Sequence, residues 1–245
     1  MTAARALAQD IDTPVQGVTG GTDLYVTSKR WWLASTAVVA VALYVALWIG
    51  WSRDWTPLVA VDDATLALTH RFGLAHPGWV TAWNALCTVF SPLTFRVLAL
   101  GLIGWALMRR QRRRALFLFV SVELSGPLTE LAKFAADRPR PATAFVFASS
   151  TAFPSGHALG TMAAVLALLA VALPVLGRSW RAPLIAASVL VVVAVGVGRV
   201  VLNVHHPSDV VAGWALGYVW FVLCLALLPA VTATDETPAT RDSSP

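Results

Sequence analysis

The sequence predicts an all-α integral membrane bundle of about six transmembrane helices with one interfacial amphipathic helix. Two observations carry this. Of 245 residues, 57% are hydrophobic and 13% are charged, about half the charged share of a soluble domain. The charges also cluster between long uncharged stretches rather than repeating along them.

Each element follows in chain order. Residues 1–30 are mixed and polar, with Gly17, Gly20 and Gly21 close together, and read as a cytoplasmic tail. Residues 31–51 carry no charge, and about 20 apolar residues cross a bilayer as a helix. Lys29 and Arg30 precede this run and no small-residue cleavage site follows it, so it reads as a retained anchor. Between Phe72 and Met108 the only formal charge is Arg96, and Pro77 and Pro92 divide the stretch. The expectation is an interfacial amphipathic helix near 78–91 and a span near 93–108. Arg109-Arg110-Gln111-Arg112-Arg113-Arg114 follows, a basic cluster of the kind found in short cytoplasmic loops. Further spans are expected at about 115–132, 155–176, 182–197 and 210–231, with Arg178 and Arg181 in a second short basic loop. Pro127 and Pro174 are tolerable because neighbouring helices re-satisfy freed backbone groups. Residues 31–231 thus form one membrane domain, and the polar residues 232–245 a second cytoplasmic tail.

With both tails and the arginine cluster inside, segments 133–154 and 198–209 face the non-cytoplasmic side of a cell membrane. Lys133, Arg138, Arg140 and Arg199 then lie outside, as do Arg53 and Arg71, against the usual bias, and the first four require a chemical reason. The net charge of +5 does not point to nucleic acid, because most basic residues sit beside apolar spans. Cys87 and Cys224 lie singly in apolar stretches, with neither disulfide-framework nor metal-ligand spacing.

Three polar segments share that outer face. The first runs from Lys133 through Asp137, Arg138, Pro139 and Arg140 to Pro141. Arginine suits bidentate phosphate contacts and lysine supplies a point charge. The second is Pro154-Ser155-Gly156-His157, which opens a helix. Serine is a good N-cap, glycine lets a ligand approach the backbone, and a helix N-terminus favours a phosphate, with His157 facing it. The third runs from Arg199 to His205-His206-Pro207-Ser208-Asp209. A carboxylate four residues after His205 can hold one ring nitrogen and leave the other free as a nucleophile. Glu123 and Glu130 fall in or near a span; Glu130, three residues before Lys133, reads as its helix-face partner.

In combination these segments resemble the type 2 phosphatidic acid phosphatase superfamily, the lipid phosphate phosphatases related to vanadium haloperoxidases. That family carries Lys-x6-Arg-Pro, Pro-Ser-Gly-His and Ser-Arg-x5-His-x3-Asp. Lys133 to Arg140-Pro141 matches the first, residues 154–157 the second, and Arg199, His205 and Asp209 the third. One departure is Gly198, where the family has serine. The resemblance implies that His205 is the nucleophile, forming a phosphohistidine, and that Asp209 orients it. It implies that His157 protonates the departing oxygen and then activates water. Lys133, Arg140 and Arg199, with Ser155 and the Gly156 N–H, become the phosphate cradle, and no metal or other cofactor is needed. His206 matches no catalytic position. The expected substrate is a lipid phosphate or diphosphate, such as a polyprenyl diphosphate, phosphatidic acid or phosphatidylglycerol phosphate. Two other readings remain open at this point: a non-catalytic lipid-binding or transport bundle, and a phosphotransferase acting on a lipid-linked acceptor.

Overall fold

The structure, a computed structural model, describes residues 19–228. Most of these residues are helical, with no strand among them. The chain divides between Val38 and Val39 into two units, and every residue treated below as functional lies in the second. The helices are α1 (Thr19–Ser52), α2 (Thr56–Ala75), α3 (Pro77–Val89), α4 (Pro92–Met108), α5 (Arg112–Leu118), α6 (Ser125–Ala136), α7 (Gly156–Ala172), α8 (Arg178–Val201) and α9 (Pro207–Leu227). A π-helical turn, Phe119–Glu123, joins α5 to α6.

By length and composition, Trp31–Ser52, Pro77–Met108, Arg112–Ala136, Arg178–Val201 and Pro207–Leu227 can each cross a membrane. Gly156–Ala172 is apolar but shorter, at 17 residues. This agrees with a bundle of about six spans. Large apolar side chains such as Leu98, Leu100, Val189, Leu190 and Leu223 point outward, as a lipid-facing surface requires.

Three features depart from expectation. First, α1 begins at Thr19, so residues 19–30 of the expected tail are helical. The rest of that tail, the end of the last expected span and the C-terminal tail lie outside the described residues. Second, α2 was not anticipated. Its sequence carries Asp62, Asp63, His70 and Arg71, which break the apolar run that marks a membrane helix. Third, the expected span 115–132 is longer and interrupted. Pro127 cannot donate to the Glu123 carbonyl, and the wide turn just before it absorbs the break. The Trp220 indole N–H donates to the Ser121 carbonyl at 3.1 Å, satisfying one group inside that turn.

The core centres on α7, which packs most extensively against α9. Glycines make this approach possible. A Cβ on Gly213 would lie 2.6 Å from the Ser155 carbonyl oxygen, and one on Gly217 would lie 2.6 Å from that of Leu159. Small residues at four-residue spacing let membrane helices touch backbone to backbone. Phe117, Leu118, Val122, Ala164, Ala167 and Phe221 fill the space beside this seam. At one end of the bundle the α6–α7 and α8–α9 connections meet. The Phe145 N–H donates to the Leu202 carbonyl at 3.0 Å, and the Ser155 N–H to the Asp209 carbonyl at 2.9 Å.

Candidate active site

All three polar segments converge at that end. Helix α6 ends where Asp137 adopts a left-handed conformation (φ 46°), which turns the chain toward Arg138 and Arg140. A cavity of about 740 Å³ is lined by Lys133, Arg140, Gly156, His157, Arg199 and His205 among others. Six of the eight residues expected at the site therefore face one cavity.

The cations are held rigidly. Lys133 is buried, and its ammonium donates to the Ser150 hydroxyl at 3.0 Å and to the Thr151 carbonyl. Its expected partner, Glu130, also lines the cavity and attracts it by charge, without a direct ion pair. Arg140 donates from Nε to the Ser150 carbonyl at 2.6 Å and from Nη1 to the Val204 carbonyl at 2.8 Å. Burial lowers the Arg140 pKa from its usual value, helped by the nearby Arg199 charge and opposed by Asp209. Arg199 is buried with its Nε unpartnered, beside Cys87. The absent motif serine has a spatial reason. A Cβ at position 198 would lie 2.5 Å from Cys87 Sγ and 2.9 Å from the Trp83 ring, so those side chains occupy the space a serine would need.

His205 lies in the tight connection before α9 and is 1% exposed. Burial pushes its pKa down to about 3; Asp209 opposes this, while the Arg140 and Arg199 charges add to it. The ring is therefore neutral near pH 7. Arg140 Nη1 stands 3.2 Å from Nε2. Because a guanidinium can only donate, Nε2 is the acceptor and the ring proton sits on Nδ1. That nitrogen is 3.6 Å from Asp209 Oδ2, a distance at which the carboxylate attracts the ring without a formed hydrogen bond. The same oxygen accepts from the His206 N–H at 2.8 Å and lies 3.2 Å from His206 Nδ1. His206 thus shares the carboxylate that fixes His205.

Ser155 departs from expectation. It is fully buried and does not line the cavity; its hydroxyl accepts from the Ala158 N–H and caps α7. Its place is behind Gly156, where it orients the helix start rather than facing a ligand. Gly156 itself lines the cavity, and a Cβ there would meet Thr129 Cγ2 at 3.1 Å.

Sequence reasoning missed the layer beneath. Arg138 is 6% exposed and sits between two carboxylates. It donates to Asp62 Oδ2 at 2.9 Å and to Asp209 Oδ1 at 2.6 Å. Ser208 closes the network: its N–H donates to Asp62 Oδ1 at 3.0 Å and its hydroxyl to Asp62 Oδ2. The Trp51 ring lies 5.3 Å from the Arg138 guanidinium carbon. The available signal was Asp62 itself, an acid within the apolar run Leu58-Val-Ala-Val-Asp62.

Fold and site together define a membrane-embedded helical bundle with a cationic, histidine-bearing cavity at one end. The comparisons agree. Residues 114–233 match the PAP2 superfamily. The chain is 33% identical to the lipid A 1-phosphatase of Rhizobium etli over 53% of its own length and 60% of that protein. It is 30% identical to phosphatidylglycerophosphatase B of Bacillus subtilis, over 67% of this chain and 83% of that one. The crystal structure described as the first transmembrane PAP2 type phosphatidylglycerolphosphate phosphatase, from Bacillus subtilis, superposes with a TM-score of 0.65 at 23% identity. That superposition covers 80% of this chain and 94% of the other. This chain belongs to the PAP2 superfamily. The chain spans about 60% of the length of the Rhizobium etli relative.

Proposed function

We propose that this protein is a membrane lipid phosphatase that cleaves a phosphomonoester or diphosphate through a phosphohistidine. The observation that carries the reading is a neutral His205 whose Nε2 lone pair shares a cavity with His157 and three cations.

In the first step Arg140 passes its N–H from His205 Nε2 to a phosphate oxygen, the freed Nε2 attacks phosphorus and the bond to the lipid oxygen breaks. That oxygen leaves with the proton of His157, whose cationic form the bound negative phosphate favours by offsetting the surrounding positive charges, and the ring proton on His205 Nδ1 stays beside Asp209. In the second step His157, now neutral, takes a proton from water. The resulting hydroxide displaces His205, releasing inorganic phosphate. Lys133, Arg140, Arg199 and the Gly156 N–H stabilise the charge on the equatorial oxygens, the main source of acceleration in phosphoryl transfer. Ser155 contributes by capping α7, and Asp209 by orienting His205. No metal enters this scheme.

Phe147 stands at the cavity rim and is 93% exposed, suited to contact with an acyl or prenyl tail. The cluster Arg109–Arg114 falls at the opposite end of α4 and α5 from the cavity. Under the positive-inside rule this directs the site to the non-cytoplasmic face of the cell membrane.

The test is phosphate release from detergent-solubilised phosphatidic acid, lipid diphosphate and phosphatidylglycerol phosphate. His205→Ala is expected to abolish release, and His157→Ala to lower it by about 10²–10⁴-fold, the worth of a general acid. Ordinary turnover by His205→Ala would refute the phosphohistidine route.

A further inference from the structure

The cavity is larger than one phosphate requires. Beyond the three cations it continues along a wall formed by Asn84 and Thr88 of α3, Pro92 and Arg96 of α4, and Gly126 and Glu130 of α6. Arg96 is in the second turn of α4 and half-buried. Its Nε is enclosed without a hydrogen-bond partner. Charge attraction links it to Glu123, whose Oε1 is likewise buried and unpartnered. A guanidinium this poorly satisfied in a membrane helix is costly. It is nevertheless built in: a Cβ at position 126 would lie 2.3 Å from Arg96 Nη2, so the α6 backbone leaves room for this side chain through a glycine.

Charge in the wall points the same way. Lys133, Arg140, Arg199 and Arg96 face the cavity, against Glu130 alone among the acids. Three cations match the oxygens of the phosphate being cleaved, which leaves Arg96 for another anion. We propose that Arg96 is a second anion subsite, and that the substrate is a lipid bearing a second phosphorus-borne charge beside the phosphate that is removed. Asn84 and Thr88 offer side-chain donors on the same wall. The second charge has two chemical sources. One is the inner phosphate of a lipid diphosphate; the other is the phosphodiester of a phosphatidylglycerol phosphate. This inference rests on the phosphatase reading and narrows its substrate class.

The experiment measures kcat/KM of the full chain and of Arg96→Gln on three substrates: a polyprenyl diphosphate, phosphatidylglycerol phosphate and phosphatidic acid. A charged hydrogen bond to the second phosphate predicts that the substitution lowers kcat/KM at least about tenfold more for a two-phosphate lipid than for phosphatidic acid. Most of that change is expected in KM. Arg96→Lys should recover part of the difference. The arm showing the loss identifies the diphosphate or the phosphodiester. Gly126→Ala supplies a second variant, since it displaces the guanidinium while keeping its charge, and the same selective loss is expected. An equal loss on all three substrates would make Arg96 structural, and no loss on any would remove the subsite; either result overturns the proposal. Failure of the unsubstituted protein to hydrolyse any of the three would instead overturn the phosphatase reading.

Discussion

Single residues decide whether His205 can act. Its ring is neutral because it is buried, and its tautomer is fixed because Arg140 can only donate to it. Position 198 shows how local packing substitutes for a missing group. Cys87 and Trp83 fill the volume that a side chain at Gly198 would take. Gly198→Ser should therefore destabilise the protein by about 1–3 kcal/mol, the usual cost of overpacking, and displace Arg199 on the next residue. Adding Cys87→Ala should recover most of the loss. Melting in detergent of the two single variants and the double variant checks this, and strictly additive effects would contradict it. Lys133, Arg140, Gly156, His157, Arg199, His205 and Asp209 were legible as candidates because each lies at a fixed spacing in a short segment. The burial of Ser155 was not, since a capping serine and a ligand-facing serine read alike.

At the scale of elements, α2 is the main lesson. Its charges concealed it as a helix of the bundle, yet one of them, Asp62, holds Arg138 beneath the cavity. Arg138 was visible in the sequence, but its partner lies 76 residues earlier, and no local pattern links them. Removing one member of a buried ion pair leaves an uncompensated charge, at a cost of about 3–5 kcal/mol. Asp62→Ala should lower the melting temperature and reduce kcat by loosening Asp209. Asp62→Asn, which keeps one acceptor, should do less of both. Thermal melting and turnover measured together provide the check; an Asp62→Ala protein with unchanged values would show the network to be idle. The π turn was likewise hidden. Pro127 marked a break in the span, but the indole N–H that satisfies the Ser121 carbonyl within it comes from Trp220, 99 residues later on α9.

For the whole molecule, composition sufficed to identify a helical membrane bundle, because few charges and long apolar runs leave no other spanning structure. The convergence of three separated segments was inferable from alternating spans alone. The orientation proposed here has a direct consequence. A single cysteine replacing Phe147 should react with a membrane-impermeant maleimide in intact cells, while one replacing Arg113 should not. Cys87 and Cys224 are buried and give a low background. Labelling of position 113 alone would reverse the orientation.

The glycine seam between α7 and α9 has a final implication. Where main chains touch at Gly213 and Gly217, there are no rotamers to relax. The gauge between the helix start carrying His157 and the first turn of α9 carrying Asp209 is thus set largely by peptide groups. A change of lipid or detergent around the bundle would disturb its periphery first, and the spacing of His157 and Asp209 last.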